Sequence, residues 1–224
     1  MTDQRQNRFI NSSLPQRQQD GHNSLPDYED APVRTLEEAT EGLEKFVPGL
    51  PDYVSTAKKD CNKNTNILTL DESAAIYLYT MSTNFVTCFN RALRCDIQLR
   101  KPWFPFLKLF VEALKKLPPI INATVWRGVN YNATSPLIKD EDYTWWDITS
   151  CSMAIDGAES RFIEDGTLFV IETNNGRDIS TFSANPDEEE VILMPATCLR
   201  VKSHSLSIEN RIFIIHLKEI APKR

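Results

Sequence analysis

The sequence predicts an α+β fold: a helical part comes first, and two packed, mostly antiparallel β-sheets follow. Apolar residues recur at helical spacing before residue 120, whereas short segments rich in Val, Ile, Thr and aromatic residues alternate with turn residues after it. Helices and strands that are segregated along a chain are typical of α+β proteins and argue against a doubly wound parallel sheet. With 224 residues, 41% of them hydrophobic, the chain can bury a substantial core.

The N-terminal segment differs in composition from the rest. Residues 1–33 are rich in Gln, Asn, Asp, Ser and Pro and contain few apolar residues, so little hydrophobic burial is available to offset the entropy lost on ordering. We therefore expect a mobile polar tail over residues 1–33 and a domain over residues 34–224. Within this domain, residues 34–119 form the helical part and residues 120–220 the β-rich part.

Four helices are predicted before residue 120. Thr35 and Thr69 each begin a Thr-x-x-Glu segment, which has the spacing of an N-terminal capping box, and apolar residues at helical spacing follow both. Ser82 or Thr83 is expected to cap the third helix. The fourth ends at a proline pair, because proline cannot continue a helix, and its apolar face consists of Leu107, Phe110, Val111, Leu114 and Leu117.

Six segments are predicted as strands, since each is rich in β-branched or aromatic residues and bounded by turn residues. They cover residues 121–128, 145–153, 166–173, 188–195, 198–205 and 211–219. Asn175-Gly176 predicts a tight turn after the third strand. The sequence contains neither of the two common glycine-rich phosphate-binding loops.

Charge and hydropathy exclude several classes of function. A net charge of −6 and a pI near 5.2 argue against binding to nucleic acid or to an anionic membrane, since both need a basic face. No apolar run approaches the roughly 18 residues of a membrane span. The first twenty residues contain no apolar core of a signal peptide.

The five cysteines indicate a reducing environment. They are scattered, odd in number and not arranged with histidines at zinc-ligand spacing, so no metal site is expected. We interpret them as mostly reduced thiols of a cytoplasmic protein. Glycosylation triplets that start at Asn11, Asn122 and Asn132 leave a secreted protein with disulfides as the alternative.

Three strand segments carry the residue types of a binding or catalytic site. In the first, Arg127 comes late in a β-branched strand and Gly128 follows it. This arrangement gives a fixed guanidinium, which donates two parallel hydrogen bonds to a phosphate, beside backbone that a ligand can approach closely. An ordinary ion pair on an edge strand is the alternative.

The second segment contains Ser150-Cys151-Ser152. Strand alternation predicts that Ser150 and Ser152 share one face and that Cys151 lies on the other. A small hydroxyl directed into a site can orient a carboxylate or a ribose, and exposed hydroxyls on a polar strand are the alternative. Cys151 as a nucleophile would need His204 or His216 beside it, and nothing in the sequence brings them together.

The third segment is Glu188-Glu189-Glu190, directly before an apolar strand. Alternation predicts Glu188 and Glu190 on one face and Glu189 on the other. Neighbouring carboxylates favour protonation of at least one of them, a cost usually tolerated where it serves a function. One such function is stabilisation of the oxocarbenium-like transition state of glycoside cleavage. A solvated acidic turn is the alternative.

In this order, the three segments resemble the arginine-specific mono-ADP-ribosyltransferases. Arg127, Ser150-Cys151-Ser152 and Glu188-Glu189-Glu190 match the Arg, Ser-x-Ser and Glu-x-Glu pattern of the clostridial-toxin-like group. The resemblance extends over most of residues 36–220, and the helix after Thr69 is similar to the eukaryotic branch. It implies the ADP-ribosyltransferase fold, in which the packed sheets form an NAD-binding cleft.

The resemblance also implies a reaction and a catalytic set. NAD would be a co-substrate, no metal would be needed, and ADP-ribose would pass to an arginine of a protein whose identity the sequence does not give. Ser150 would hydrogen-bond the catalytic glutamate. Glu190 would bind the 2′-hydroxyl of the nicotinamide ribose and stabilise the oxocarbenium ion. Glu188 would grip the incoming guanidinium and help its deprotonation.

Further residues are implied in NAD binding. Arg127 would hold the phosphates, the backbone of Gly128 would contact nicotinamide, and Phe182 would stack near nicotinamide. The segment that resembles the phosphate–nicotinamide loop, with its arginine as a second phosphate ligand, consists of Asn174, Asn175, Gly176 and Arg177.

Other functions remain open at this point. An NAD glycohydrolase would use water as the acceptor, and a transferase could use a different acceptor. The complete set of Arg127, Ser150 and Glu190 argues against a non-catalytic NAD-binding or interaction module. Chain elongation is not expected, because the poly-ADP-ribose polymerases have a histidine where this sequence has Arg127. We expect a cytoplasmic monomer that binds neither nucleic acid nor membrane.

Overall fold

The computed structural model describes residues 14–17, 28–95, 97–129, 132–134, 136–154, 166–206 and 212–222. These residues divide into two units. The first contains the helices and consists of residues 28–118 and Ile179–Asp187. The second contains the strands and consists of the remaining described residues. Ile179–Asp187 thus lies with the helices, although it comes from the β-rich part of the sequence.

The α-helices of the first unit confirm both predicted capping boxes. The described helices are α1 (Leu36–Thr40), α2 (Leu50–Asp60), α3 (Leu70–Thr80), α4 (Phe85–Leu93), α5 (Ile97–Arg100) and α6 (Phe104–Lys116). The hydroxyls of Thr35 and Thr69 accept from the N–H groups three residues later, and the glutamates there accept from the threonine N–H groups. The N-cap residue of α4 is Asn84, not the predicted Ser82 or Thr83.

Helices α2 and α5 are not among the predicted ones. Helix α2 begins after Gly49, which has a positive φ of 80°. Pro51 lies in its first turn, a position that suits proline because the first N–H groups of a helix have no intrahelical partner. Leu43 and Val47 are among the apolar residues at helical spacing that follow Thr35, and the spacing predicts that they continue the first helix. They lie in turns instead, where both are fully buried. Their apolar spacing therefore reflects packing and not a continuous helix.

An aromatic cluster joins α3, α4 and α6. Tyr79, Phe85, Phe106 and Phe110 are all fully buried. The ring centroids of Tyr79 and Phe110 lie 4.7 Å apart, as do those of Phe85 and Phe106. Aromatic pairs at such distances stabilise a core beyond the burial of their area. Across the described ranges, no helix combines the length and the apolar character needed to cross a membrane.

Ile179–Asp187 is hydrogen-bonded to the end of α3. The hydroxyl of Thr80 accepts from the N–H of Ala184 at 2.8 Å. The side-chain amide of Asn185 donates to the Thr80 carbonyl at 3.0 Å.

The second unit is a hydrogen-bonded ladder of ten described strands in the order β1-β4-β9-β10-β6-β3-β5-β8-β7-β2. They are β1 (Gln16–Arg17), β2 (Pro119–Ile120), β3 (Ala123–Val129), β4 (Asp142–Trp145), β5 (Thr149–Ser152), β6 (Gly166–Thr173), β7 (Gly176–Asp178), β8 (Glu190–Leu193), β9 (Thr197–Leu206) and β10 (Ile212–Glu219). Among the described pairings only that of β10 with β6 is parallel, so the predicted mostly antiparallel character is confirmed.

The ladder folds around one core. Val191 of β8 and Leu199 of β9 belong to the same buried apolar cluster, although their strands are five positions apart in the ladder. Neighbouring strands are about 4.8 Å apart, so a flat sheet would hold these side chains far from each other. Among the described residues, strands β3 and β5 share the single pair Trp126–Ser152. The two packed sheets predicted from the sequence are therefore two halves of one folded ladder, which meet at this pair.

Parts of the expected polar tail are integrated into the structure. Gln16–Arg17 pairs with β4, and Leu14 packs against the core of the second unit. In the first unit, Tyr28 is buried, and the ammonium group of Lys108 donates to the carbonyl of Glu29 at 2.8 Å. A few apolar residues are sufficient here because each meets an apolar surface that already exists.

Replacing Thr69 by alanine is expected to lower the free energy of unfolding by about 1–2 kcal/mol, since it removes a partly buried capping box. Thr35→Ala is the matched control. The hydrogen bonds of its capping box are exposed, so Thr35→Ala is expected to lower the free energy of unfolding by less. Urea denaturation measures both. A loss for Thr35→Ala that equals or exceeds that for Thr69→Ala contradicts this ranking.

Candidate active site

The pairing of β5 with β8 brings the Ser-x-Ser segment and Glu190 together. Glu190 is the first residue of β8 and is completely buried. It lies opposite Ser152 in the antiparallel pair, and Ser150 lies opposite Ile192. Opposite residues share a face, so both serines, which are also buried, project from the same face as Glu190. A glutamate side chain can reach a diagonal neighbour, and the contact between Ser150 and Glu190 stays a prediction.

The other face of β5 belongs to the core. Cys151 pairs with Val191, and both belong to the buried apolar cluster. Burial raises the pKa of the Cys151 thiol to about 12; the positive charge of Arg127 opposes this rise, and the negative charge of Glu190 adds to it. The thiol is therefore neutral near pH 7. Cys151 faces away from the serines, as expected, and is not an activated nucleophile.

Strand alternation does not apply to Glu188. Glu188 ends a 3₁₀ turn (Pro186–Glu188), Glu189 has a positive φ of 45°, and β8 starts only at Glu190. Positive φ is uncommon outside glycine and turns the chain sharply. Glu188 and Glu189 nevertheless differ in exposure, as two residues on opposite faces would: Glu188 is half-buried and Glu189 is exposed. This difference in exposure results from the turn and not from the alternation of side chains along a strand.

Ser152 holds the turn that carries Glu188. Its hydroxyl donates to the carbonyl of Glu188 at 2.9 Å and accepts from the N–H of Ala154 at 3.1 Å. The N–H of Met153 donates to the carbonyl of Glu189 at 3.1 Å. Ser152 has no role of its own among the functions predicted from the sequence. The available signal was its place as the second serine of the Ser-x-Ser pattern.

Arg127 is fixed, as predicted, but it is also buried, with 2% of the residue exposed. Its Nη1 donates to the carbonyl of Ser150 at 2.7 Å, and the guanidinium carbon lies 5.2 Å from the ring centroid of Trp145. Val125 and Val129, which share its face of β3, belong to the core. The hydrogen bond connects Arg127 to β5, the strand that carries Ser150, and the ring contact connects it to β4.

A buried cation and a buried anion therefore lie near β5. The charges of Arg127 and Glu190 both affect the pKa of the Cys151 thiol, with opposite signs. Because water screens buried charges weakly, each contributes strongly to the potential at this point of the sheet. Gly128, the predicted backbone contact to nicotinamide, is buried and pairs with Leu168.

The predicted phosphate–nicotinamide loop lies between β6 and β7. Asn174 and Asn175 are exposed, and Arg177 is half-buried. Strand β7 pairs with β2 and β8 and not with β6, so the loop is a crossover and not a hairpin turn. Burial lowers the pKa of the Arg177 guanidinium, and the negative charge of Glu219 opposes this. The Nη1 atom of Arg177 donates to the carbonyl of Asn175 at 2.8 Å.

Gly176 has a packing role. A Cβ at this position would lie 2.8 Å from Cγ1 of Val191 and 3.1 Å from Cδ1 of Ile120. Both side chains are on strands that neighbour β7, and close-packed interiors have no room for such an overlap. Glycine is therefore required here for the approach of β7 to its neighbours, whether or not a ligand contacts the backbone.

The predicted site residues belong to both units. Phe182 is buried at the end of a 3₁₀ turn (Ser180–Phe182) in the first unit. The others lie in the second unit and are Arg127, Gly128, Ser150, Asn174, Gly176, Arg177, Glu188 and Glu190. In the part of the chain that the structure describes, no group of three or more His, Cys, Asp or Glu residues is arranged to hold a metal ion.

Iodoacetamide at pH 8 is expected to leave Cys151 unmodified in the folded protein, because the raised pKa and full burial keep its thiol neutral and inaccessible. Cys95, which is only partly buried, is the internal comparison. Peptide mass spectrometry before and after unfolding in guanidinium measures both sites. Modification of native Cys151 as fast as that of Cys95 contradicts the assignment.

Comparison with solved structures identifies the fold. The eukaryotic mono-ADP-ribosyltransferase ART2.2 is 23% identical, with 84% of this chain and 85% of that chain covered and a TM-score of 0.62. The Vis toxin from Vibrio splendidus is 20% identical, with 87% and 90% covered and a TM-score of 0.55. HopU1 from Pseudomonas syringae is 20% identical, with 81% and 87% covered and a TM-score of 0.58. The fold is therefore the ADP-ribosyltransferase fold.

Sequence comparison identifies the family. No curated protein matches the chain in sequence. Residues 28–224, however, match the family model described as NAD:arginine ADP-ribosyltransferase. This match includes the strands that carry Arg127, Ser150 and Glu190. The chain belongs to the NAD:arginine ADP-ribosyltransferase family.

Proposed function

We propose that this protein transfers ADP-ribose from NAD to the guanidinium group of an arginine in a protein substrate and releases nicotinamide. Membership of the family makes NAD the co-substrate and mono-ADP-ribosyl transfer the reaction, and the arginine acceptor is the part proposed. The observation that carries the proposal is the completely buried Glu190 on one face with Ser150, preceded two residues earlier by the half-buried Glu188.

Glu190 is proposed to stabilise the positive charge that develops on the ribose. The bond between C1′ and the nicotinamide nitrogen breaks, and its electron pair leaves with neutral nicotinamide. The ribose becomes an oxocarbenium ion, which a carboxylate stabilises best where water is excluded. Complete burial of Glu190 supports this role. Ser150 is proposed to orient the carboxylate through a hydrogen bond.

Glu188 is proposed to act on the acceptor. An arginine side chain is a fixed cation and therefore a poor nucleophile. A carboxylate beside it can hold the guanidinium and accept the proton that it loses as its nitrogen bonds to C1′. Glu188 is half-buried, and the hydroxyl of Ser152 holds its carbonyl. Its side chain is thus in contact with solvent, from which the acceptor arrives, and its backbone is held in place.

The NAD-binding set is proposed from the resemblance. Asn174 is exposed and Arg177 is half-buried, whereas Arg127 is 2% exposed and shares a face of β3 with core residues. Arg127 and Arg177 are proposed to bind the pyrophosphate, since a guanidinium donates two parallel hydrogen bonds to such groups. Backbone groups of Gly128 and side-chain or backbone groups of Asn174 and Gly176 would add contacts. Phe182 is proposed to stack near nicotinamide.

Two relatives support these ligands. The Vis toxin has been solved in complex with agmatine, a small molecule that carries the guanidinium group of arginine. A variant of ART2.2 has been solved in complex with NADH. We also propose a cytoplasmic monomer. All five cysteines are free thiols, which is compatible with a reducing compartment.

Glu190→Gln is expected to lower kcat roughly 100-fold or more for both transfer and NAD hydrolysis, because the amide keeps the shape but not the charge that balances the oxocarbenium ion. Binding of NADH, measured by calorimetry, is expected to survive. NADH is a suitable probe because its uncharged ring is not a leaving group. More than about a tenth of wild-type activity in both assays would overturn the role of Glu190.

Glu188→Gln is expected to separate the two activities. Glu190 remains, so release of free ADP-ribose continues, whereas transfer to agmatine falls steeply because the acceptor loses the carboxylate that positions it. Glu189→Gln removes the same charge from an exposed side chain and is expected to leave both activities near wild type. Undiminished transfer by Glu188→Gln would favour a glycohydrolase or a transferase for another acceptor.

Arg127→Lys is expected to weaken NADH binding about tenfold or more, because an ammonium group cannot donate two parallel hydrogen bonds to a pyrophosphate. Arg200→Lys is the control, since Arg200 also uses two nitrogens on one partner, Asp142, and lies outside the proposed site. Calorimetry measures both variants. An unchanged dissociation constant for Arg127→Lys would leave Arg127 with its structural contact to Ser150 alone.

A further inference from the structure

The carboxylate of Glu219 accepts hydrogen bonds from the end of β6 and the loop that follows it. Glu219 is the last residue of β10, which runs parallel to β6. Its Oε2 accepts from the hydroxyl of Thr173 at 2.6 Å, from the N–H of Asn174 at 2.9 Å and from the N–H of Asn175 at 3.1 Å. Parallel pairing explains the contact, because the two strands end at the same edge of the sheet. One carboxylate oxygen therefore binds three donors of one loop.

Thr173 extends this network to the end of the loop. Its hydroxyl accepts from the N–H of Gly176 at 3.1 Å while it donates to Glu219. Gly176 in turn begins β7, where its packing against Val191 leaves no room for a side chain. The conformation of the loop is therefore fixed at its start by Glu219 and at its end by Thr173 and the packing of β7.

We propose that Glu219 is a positioning residue for NAD binding, in that it preorganises the loop that carries Asn174 and Arg177. The proposal rests on the proposed function of this loop. A loop that is already ordered loses less conformational freedom when a ligand binds, so affinity rises without any contact between Glu219 and the ligand. The Nη1 bond from Arg177 to the Asn175 carbonyl links the guanidinium to the segment that Glu219 holds.

Charge alone predicts the opposite effect, and this makes the proposal testable. Glu219 is an anion whose charge is felt by Arg177, and NAD brings a negatively charged pyrophosphate. If Glu219 acted only through its charge, its removal would reduce repulsion and tighten binding. If it acts by holding the loop, its removal weakens binding in spite of the reduced repulsion.

The test compares Glu219→Gln with Glu172→Gln. Glu172 lies one residue before Thr173 and forms an exposed ion pair with Lys218 at 3.6 Å, so its replacement removes the same charge from the same edge without touching the loop network. We expect Glu219→Gln to raise the dissociation constant of NADH and the KM for NAD about tenfold, with kcat within about twofold of wild type. Glu172→Gln is expected to leave all three values near wild type.

Thr173→Val supplies a second, independent variant. It removes the hydroxyl that donates to Glu219 and accepts from Gly176, and we expect a similar rise in the dissociation constant of NADH. Because both variants break one network, their effects in the double variant are expected to be less than additive. A merely structural role would lower the melting temperature without the change in KM at constant kcat.

The outcomes separate this inference from the proposed function. Wild-type protein that binds neither NADH nor NAD overturns both. If the wild type binds NADH and Glu219→Gln binds it equally well or more tightly, the proposed function stands and the positioning role of Glu219 is wrong. Equal weakening by Glu219→Gln and Glu172→Gln also overturns that role, since the loss of affinity would then not depend on the hydrogen bonds between Glu219 and the loop.

Discussion

The register between β5 and β8 is the constraint on which the candidate site depends. It places Glu190 opposite Ser152, and Val191 opposite Cys151. A shift of β8 by one residue would exchange the two faces, so that Glu190 would enter the apolar cluster that now contains Val191 and Cys151. Burying an unpaired carboxylate among apolar side chains is costly. The same hydrophobic pattern that forms the core therefore also fixes the chemistry of the opposite face.

Hydrogen bonds from side chains to backbone groups stabilise the pair of β5 and β8 and the segments next to it. Arg127 donates to the carbonyl of Ser150, and the hydroxyl of Ser152 donates to the carbonyl of Glu188. Glu219 binds the loop before β7, which is the other neighbour of β8. The polar residues of the Arg, Ser-x-Ser and Glu-x-Glu segments thus have two kinds of role. Some are proposed to meet the ligand, and some hold the strands that present the ligand-binding groups.

Much of this arrangement could be predicted from the sequence because it follows local periodicity. The structure places β6 at Gly166–Thr173, as predicted, and Cys151 faces the core, as alternation requires. Strand alternation was wrong for Glu188, and the environment of Arg127 could not be predicted, because contacts between distant parts of the sequence decide both. Glu188 leaves a 3₁₀ turn and not a strand, and Arg127 turns toward the core beside Trp145. The pairing of residues near 173 with residues near 219 has no signal in either segment alone.

We propose that the ribose cation formed here is captured by a guanidinium. The most direct measurement is incubation of the wild-type protein with ADP-ribose-labelled NAD and agmatine, followed by mass spectrometry and chromatography of the labelled products. We expect labelled ADP-ribosylagmatine in excess of free ADP-ribose, in amounts that depend on the agmatine concentration. Free ADP-ribose alone, at a rate that agmatine does not change, would contradict an arginine acceptor and identify water as the nucleophile.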